Sequence, residues 1–429
     1  MKKKILLPAL ALFGMLTGGL SSCGPKDPSS PEGPSEETYG NGKVQLTVWA
    51  PAEQFQIYSS LVTEYNKTAD PEKTVKLKVV GIGEGDIGEK FGNDPTKGPD
   101  VFQIPGNDIS SFVTKGFISQ LDVAGREDIS ITSETLKTGM VQSALYALPY
   151  TINTYFLYYN TSQLEETQVE SLSTIIAAAK EANKQAFGFK ISDGFYFQAV
   201  LRAMGLDIYG EGGTSNSSSD FTSTNEAAVW ATRFSHELLT NETLYNTEYA
   251  TFINELRDGK ILSVVDGTWN FGNYKDALGE NFGCAILPKI DITLDGHTYD
   301  NQLGAPIDNK FVVVNSSLKG EKLDVAKDFA YYTVSDAAQK IKFELKSIIP
   351  TADKLLNDED FKKTFLMAGA VSDYNKSTAN FSNPTATKFN ANFWGAIEGF
   401  CASIKTVSPS GGQYDFTKAI DELNAALLK

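Results

Sequence analysis

The sequence predicts an α/β fold divided between two domains. Strand and helix patterns alternate from the start of the folded region, opening with a β-α-β run of about forty residues, the unit of a parallel sheet. A β-branched strand, "KFVVVNSS", returns late in the chain and needs a sheet already built beside it. At 429 residues the chain exceeds what one hydrophobic core ordinarily organises.

The elements follow in order. "VQLTVWA", Val44 to Ala50, alternates apolar and polar residues and reads as a strand. Phe55, Ile57, Tyr58, Leu61, Val62 and Tyr65 then recur near helical spacing. "TVKLKVVG" alternates again, a short helix is expected near Ile87 to Asn93, and "PDVFQIP" is a third strand. "DISSFVTKG" is a helix ending near Gly116. "LYALPYTINTYFLYYN" is a tyrosine-rich crossing segment. Next come a helix capped by Ser171 or Ser173, the strand "AFGFKIS", the helix "FYFQAVLRAMG" and the helix "NEAAVWATRFSHELL". A buried strand ends at Gly267 and turns into another helix, and "CAILP" is a further strand. "LDVAKDFAYYTVSDAAQKIKFEL" reads as one long helical run, and the remainder as mostly helical.

The N-terminus speaks to location. Lys2, Lys3 and Lys4 precede an apolar stretch, Ile5 to Leu16, that is short for a lasting membrane span. Leu20-Ser21-Ser22-Cys23 resembles the lipobox of bacterial lipoproteins, which implies cleavage after a signal peptide at 1–22 and acylation of Cys23. Residues 23–42 are rich in Pro, Ser, Gly and Glu, with Tyr39 the only large apolar side chain, and read as a disordered tether. An exported protein, held at the extracytoplasmic face by its lipid, is expected.

The formal net charge of −15 argues against nucleic acid and anionic lipid surfaces as partners. With two histidines, His236 and His297, a multi-histidine metal site is excluded, and no cofactor is indicated. Cys284 and Cys401 are expected as buried free thiols. "GIGEGDIGEKF" satisfies G-x-G-x-x-G after a strand, the pattern of a dinucleotide cradle. It follows the second strand rather than the first, in an exported acidic chain. A glycine rim loop with Asp86 and Glu89 as a helix-capping pair is the simpler expectation.

Five blocks, in order, resemble the extracellular solute-binding proteins of bacterial ABC importers, the maltose-binding-protein-like group. They are "VQLTVWAP", "KGPDVFQIPGNDISSFVTKGFISQLD", "LYALPYTINTYFLYYN", "INELRDGKILSVVDGTWNFGNY" and "FWGAIEGF". The resemblance spans nearly the whole processed chain. It implies a type II periplasmic-binding-protein-like fold: two α/β lobes, hinge-connected, with the ligand cleft between them. One lobe would take residues 43–152 and 306–350, and the other 153–299 and 351–429.

Ligands of such sheets bind beyond the carboxyl ends of the strands. There Trp269, just past Asp266-Gly267-Thr268, is the foremost candidate contact. Trp394 falls at a matching position of the resemblance. One of Phe195 and Tyr196 is expected to face the cleft, Trp49 to line cleft or hinge, and Trp230 to be core. Polar candidates are Glu53, Asn107, Asp108, Asn153 and Asp193, each also a natural turn or cap residue. Aromatic faces suit the C–H surface of a pyranose. Asn153 stands where maltose-type members carry an acid, and Ile104, Asn107 and Asp108 where they carry an aromatic and a basic residue. Maltose itself is therefore placed in doubt, though a sugar is not.

The expected function is capture of an oligosaccharide by lobe closure and delivery, as a monomer, to ABC permease subunits. Alternatives are a polyamine- or peptide-binding protein of the same fold, a surface glycan hydrolase, or an adhesin. No paired-carboxylate or nucleophile–base motif marks an enzyme.

Overall fold

The computed structural model describes residues 35–93, 95–244, 251–359, 381–382, 384, 386 and 388–429. The expected signal peptide at 1–22, the lipidated Cys23 and the tether as far as residue 34 lie outside them.

β1 (Glu36–Tyr39), β2 (Val44–Ala50), β3 (Val75–Gly81) and β4 (Val101–Pro105) form the first half of one sheet. Their order is β1-β3-β2-β4, with β2 parallel to both β3 and β4. The strand β1 corrects the expected tether. Glu36–Tyr39 pair antiparallel with β3, Tyr39 packs against the core, and Glu36 accepts an ion pair from Lys78 at 2.7 Å. A strand needs only main-chain partners and one anchoring side chain, and the composition of 23–42 hides both.

α1 (Phe55–Thr68) and α2 (Glu84–Asn93) cover this sheet. α1 buries Ile57, Tyr58, Leu61, Val62 and Tyr65, the spacing read from the sequence. α2 begins at Glu84, so Asp86 lies within its first turn rather than capping it, and Gly85 and Gly88 are helical rather than a rim loop. Ile87 and Phe91 carry α2 into an aromatic cluster with Phe102 and Phe112. α3 (Ile109–Thr114) follows β4.

β5 (Leu148–Asn153) belongs to the first sheet and β6 (Tyr155–Asn160) to a second, so the chain crosses at Thr154. The helices α4 (Leu172–Ala182), α5 (Gly194–Ala203), α6 (Glu226–Thr240) and α7 (Phe252–Arg257) pack around that second sheet. Its other strands are β7 (Gln185–Gly188), β8 (Ile261–Gly267) and β9 (Phe282–Ala285), ordered β9-β6-β8-β7. α8 (Phe271–Leu278) follows β8. The N-terminus of α4 is satisfied from a distance. Asp291 accepts the Ser173 N–H at 2.8 Å and both the Ser171 and Ser173 hydroxyls, so neither serine caps the helix itself.

The chain returns to the first sheet in β10 (Pro306–Val314), antiparallel to both β4 and β5. The expected single long helix is two, α9 (Gly320–Thr333) and α10 (Asp336–Lys346). Ser335 breaks the run by capping α10 through the Ala338 N–H. Residues 351–354, expected with the second lobe, stay bonded to the first. Thr351 donates its N–H to Gln339 and its hydroxyl to Pro149, and Asp353 donates its N–H to Ser130. β11 (Phe381–Ser382) pairs with the start of β10, and α11 (Trp394–Lys405) and α12 (Thr417–Leu427) complete the second lobe.

Each sheet has its own core. The first gathers Leu46, Val75, Leu61, Val312 and Phe329, and the second Phe187, Val264, Leu238, Ile397 and Ile420. Trp230 is half-buried against the second core, stacked on His297 at 3.9 Å. Cys284 and Cys401 are free thiols, both pushed well above the ordinary thiol range by burial. In the first core, Lys342 is 1% exposed, its Nζ 4.7 Å from the Tyr150 ring centroid and without a hydrogen-bond partner among the described residues. Burial pulls its pKa down to about 7.

Candidate functional site

Parallel strands deliver their loops to one edge of each sheet, and the candidate residues sit at those carboxyl ends. β8 ends in Asp266-Gly267, and a 3-10 turn, Thr268–Asn270, follows. Its Trp269 is 50% exposed, the most open large apolar side chain among the described residues. A β-carbon on Gly267 would lie 2.2 Å from the indole, so only glycine lets the ring rest there.

The turn is held from below by a side chain that sequence reasoning missed as a site residue. Asp266 is 1% exposed and accepts from the Tyr196 hydroxyl at 3.0 Å, the Tyr274 hydroxyl at 2.7 Å and the Asn270 amide at 3.0 Å. Tyr158 donates to the Gly267 carbonyl at 3.1 Å. A carboxylate ending an otherwise apolar strand was the available signal.

Of the pair Phe195 and Tyr196, the structure turns Phe195 toward the site. Its ring lies 5.8 Å from Trp269, while Tyr196 is buried against Asp266 and is no cleft face. The Tyr155 ring supports Phe195 edge-on at 5.2 Å, and its hydroxyl donates to the Phe195 carbonyl at 3.2 Å. Asp193 caps α5 by accepting the Phe195 N–H at 2.9 Å. Its carboxyl is raised by burial and by Glu398, against the lowering effects of that N–H and Lys190. Trp394 is half-buried, edge-on to Phe389 and Phe393 at 5.1 and 5.2 Å. A β-carbon on Gly194 would be 3.0 Å from its Cε3, so Trp394 rests on the first turn of α5. Trp269, Phe195 and Trp394 thus converge around one helix start.

On the first sheet, Asn107 and Asp108 occupy the 3-10 turn Gly106–Asp108 after β4. Asn107 is exposed and Asp108 half-buried, its carboxyl raised by burial and restrained by Lys310 and Lys115. Lys310 pairs with Asp308 at 2.7 Å, both largely shielded, and Asp308 stands opposite Asn153 in the register of β10 and β5. Asp308 and Lys310 were not foreseen, although charges two apart in a buried strand mark one polar face. Asp108 and Asn153 thus lie beside that pair, with Asn107 next to Asp108 in the turn. Trp49 is half-buried with its ring edge against Phe91 at 6.5 Å, and Glu53 is exposed in the turn after β2. Among the described residues no His, Cys, Asp and Glu group could hold a metal ion, and no helix is long and apolar enough to cross a membrane.

Two sheets joined by a crossing segment, with aromatic groups at the loop edge of one and polar groups at the loop edge of the other, are the arrangement of two-lobe solute-binding proteins. The model of the bacterial extracellular solute-binding protein family matches residues 60–369, and the chain belongs to that family. A galactooligosaccharide-binding protein of Bacillus subtilis is 26% identical, covering 94% of this chain and 92% of that one. The maltodextrin-binding protein MdxE of the same organism is 24% identical, covering 97% and 95%. Among solved structures, the maltodextrin binding protein MalE1 from L. casei BL23 superposes with a TM-score of 0.76 at 22% identity, covering 91% of this chain and all of that one. A structure solved with acarbose gives 0.75 at 26% identity, covering 90% and 99%.

Proposed function

We propose that this chain is the saccharide-capturing component of an ABC-type importer. It binds an oligosaccharide between lobes that close about the crossings and presents the closed form to membrane permease subunits. The reading adds a lipid on Cys23, an extracytoplasmic position and a monomeric state. It assigns residues 43–152 and 306–350, extended to about 354, to one lobe and the remainder of the folded chain to the other. It includes no catalytic step, cofactor or metal.

One observation carries the reading: Trp269, half exposed, beside Phe195 and Trp394 around the start of α5. Rings left open to solvent while their supports are buried suit a flat apolar sugar face. Polar groups at the loop edge of the first sheet, Asn107, Asp108, Asn153, Asp308 and Lys310, suit hydroxyls, which need both donors and acceptors. The relatives that bind galacto-oligosaccharides and maltodextrins support the same class of ligand.

Titration calorimetry with maltotriose, galactotriose, spermidine and a pentapeptide tests it. Binding of a trisaccharide, with a raised melting temperature, is the expected result. Spermidine or peptide binding without saccharide binding would sink the sugar assignment and leave the family in place.

A further inference from the structure

Gln198 lies on α5, one turn after Gly194, and is 2% exposed. Among the described residues, neither its side-chain oxygen nor its nitrogen has a hydrogen-bond partner. At 3.6 residues per turn it projects between Gly194, on which Trp394 rests, and Phe195, which meets Trp269. Its neighbours point elsewhere: Tyr196 bonds Asp266, and Phe197 meets Phe221 and Phe400. Side chains on a helix lean toward its N-terminus. The Gln198 amide is therefore aimed back at the turn where the aromatic residues converge.

An unpaired amide in a packed interior is destabilising, because two polar groups lose water and gain nothing. A leucine would fill a similar volume without that penalty. As packing, then, glutamine is the wrong residue here. As a binding group it is apt: one oxygen accepts and one nitrogen donates, the complement of neighbouring sugar hydroxyls.

We infer that Gln198 is a further ligand-binding residue, pairing with hydroxyls of a saccharide seated on Trp269, Phe195 and Trp394. The inference rests on the saccharide reading proposed above. Phe195 and Trp394, which flank that turn, are only half-buried.

The test compares the wild-type protein with Q198L and Q198M. Each is melted without ligand and titrated with maltotriose and galactotriose. Both variants are expected to melt at or above the wild-type temperature while affinity for the bound trisaccharide falls at least about tenfold. Wild-type affinity in both variants overturns the inference and leaves the saccharide reading standing. Lowered melting with unchanged affinity also overturns it, since the amide then serves packing. A wild-type protein that binds neither trisaccharide removes the saccharide reading, and this inference with it.

Discussion

The Tyr196 hydroxyl donates to the buried Asp266 carboxylate at 3.0 Å, and through it the first turn of α5 is fastened to the end of β8. Phe195 and Trp269 occupy the two ends of that fastening. Tyr196→Phe removes one donor from a buried charge and is expected to destabilise the protein by about 1.5–3 kcal/mol. Saccharide affinity should fall as well, because Trp269 loses part of its support. Chemical denaturation and calorimetry on the same preparation check both; unchanged affinity would show that the turn is held without Tyr196.

Trp269→Ala separates binding from folding. The ring is half exposed, so stability should change by no more than about 1 kcal/mol. Affinity should drop at least about thirtyfold, the effect of losing a central aromatic contact. A variant that unfolds early, or that binds normally, contradicts the assignment.

Gly267→Ala is expected to reproduce that loss without removing the indole. The added β-carbon would stand 2.2 Å from ring carbons and must displace Trp269. Quenching of Trp269 emission by a soluble quencher should rise, and trisaccharide affinity should fall toward that of Trp269→Ala.

Lys342 carries a pH dependence whose sign can be worked out. Its folded pKa, about 7, lies below the unfolded value near 10.4. Between those values the unfolded chain binds the extra proton, so stability rises with pH across that window and the penalty is complete below about 7. Lys342→Met should therefore raise stability at pH 7 by a few kcal/mol and flatten the slope between pH 7 and 10. Melting curves at pH 7, 8.5 and 10 decide it; parallel curves for the two proteins would refute it.

Much of this architecture was legible because its signals are local. The alternation in Val44–Ala50 and the helical spacing through Tyr65 each report burial directly, and the D-G-T-W turn marked Trp269. What escaped depends on partners far along the chain. Tyr196 and Phe195 are indistinguishable until β8 supplies Asp266. Asp291, 118 positions from Ser173, takes over a cap that the serines advertise locally. Lys310 reads as a surface lysine until Asp308 and Asp108 gather around it. Glu36–Tyr39 offer one large apolar residue, Tyr39, too little to announce a strand whose pairing is main chain.

That last strand has a bearing on how the protein behaves among copies of itself. β3 spans seven residues, Val75–Gly81, with several β-branched side chains, and β1 occupies its outer row of peptide groups. A chain beginning at Lys43 would present that row to solvent, a template for pairing with the same strand of a neighbour. It should self-associate at concentrations where the chain beginning at Gly33 stays monodisperse, a difference that light scattering would show. β1 itself is four residues long and carries two glutamates, Glu36 and Glu37, a poor surface for further zippering. Those four residues are expected to guard the sheet edge against aggregation.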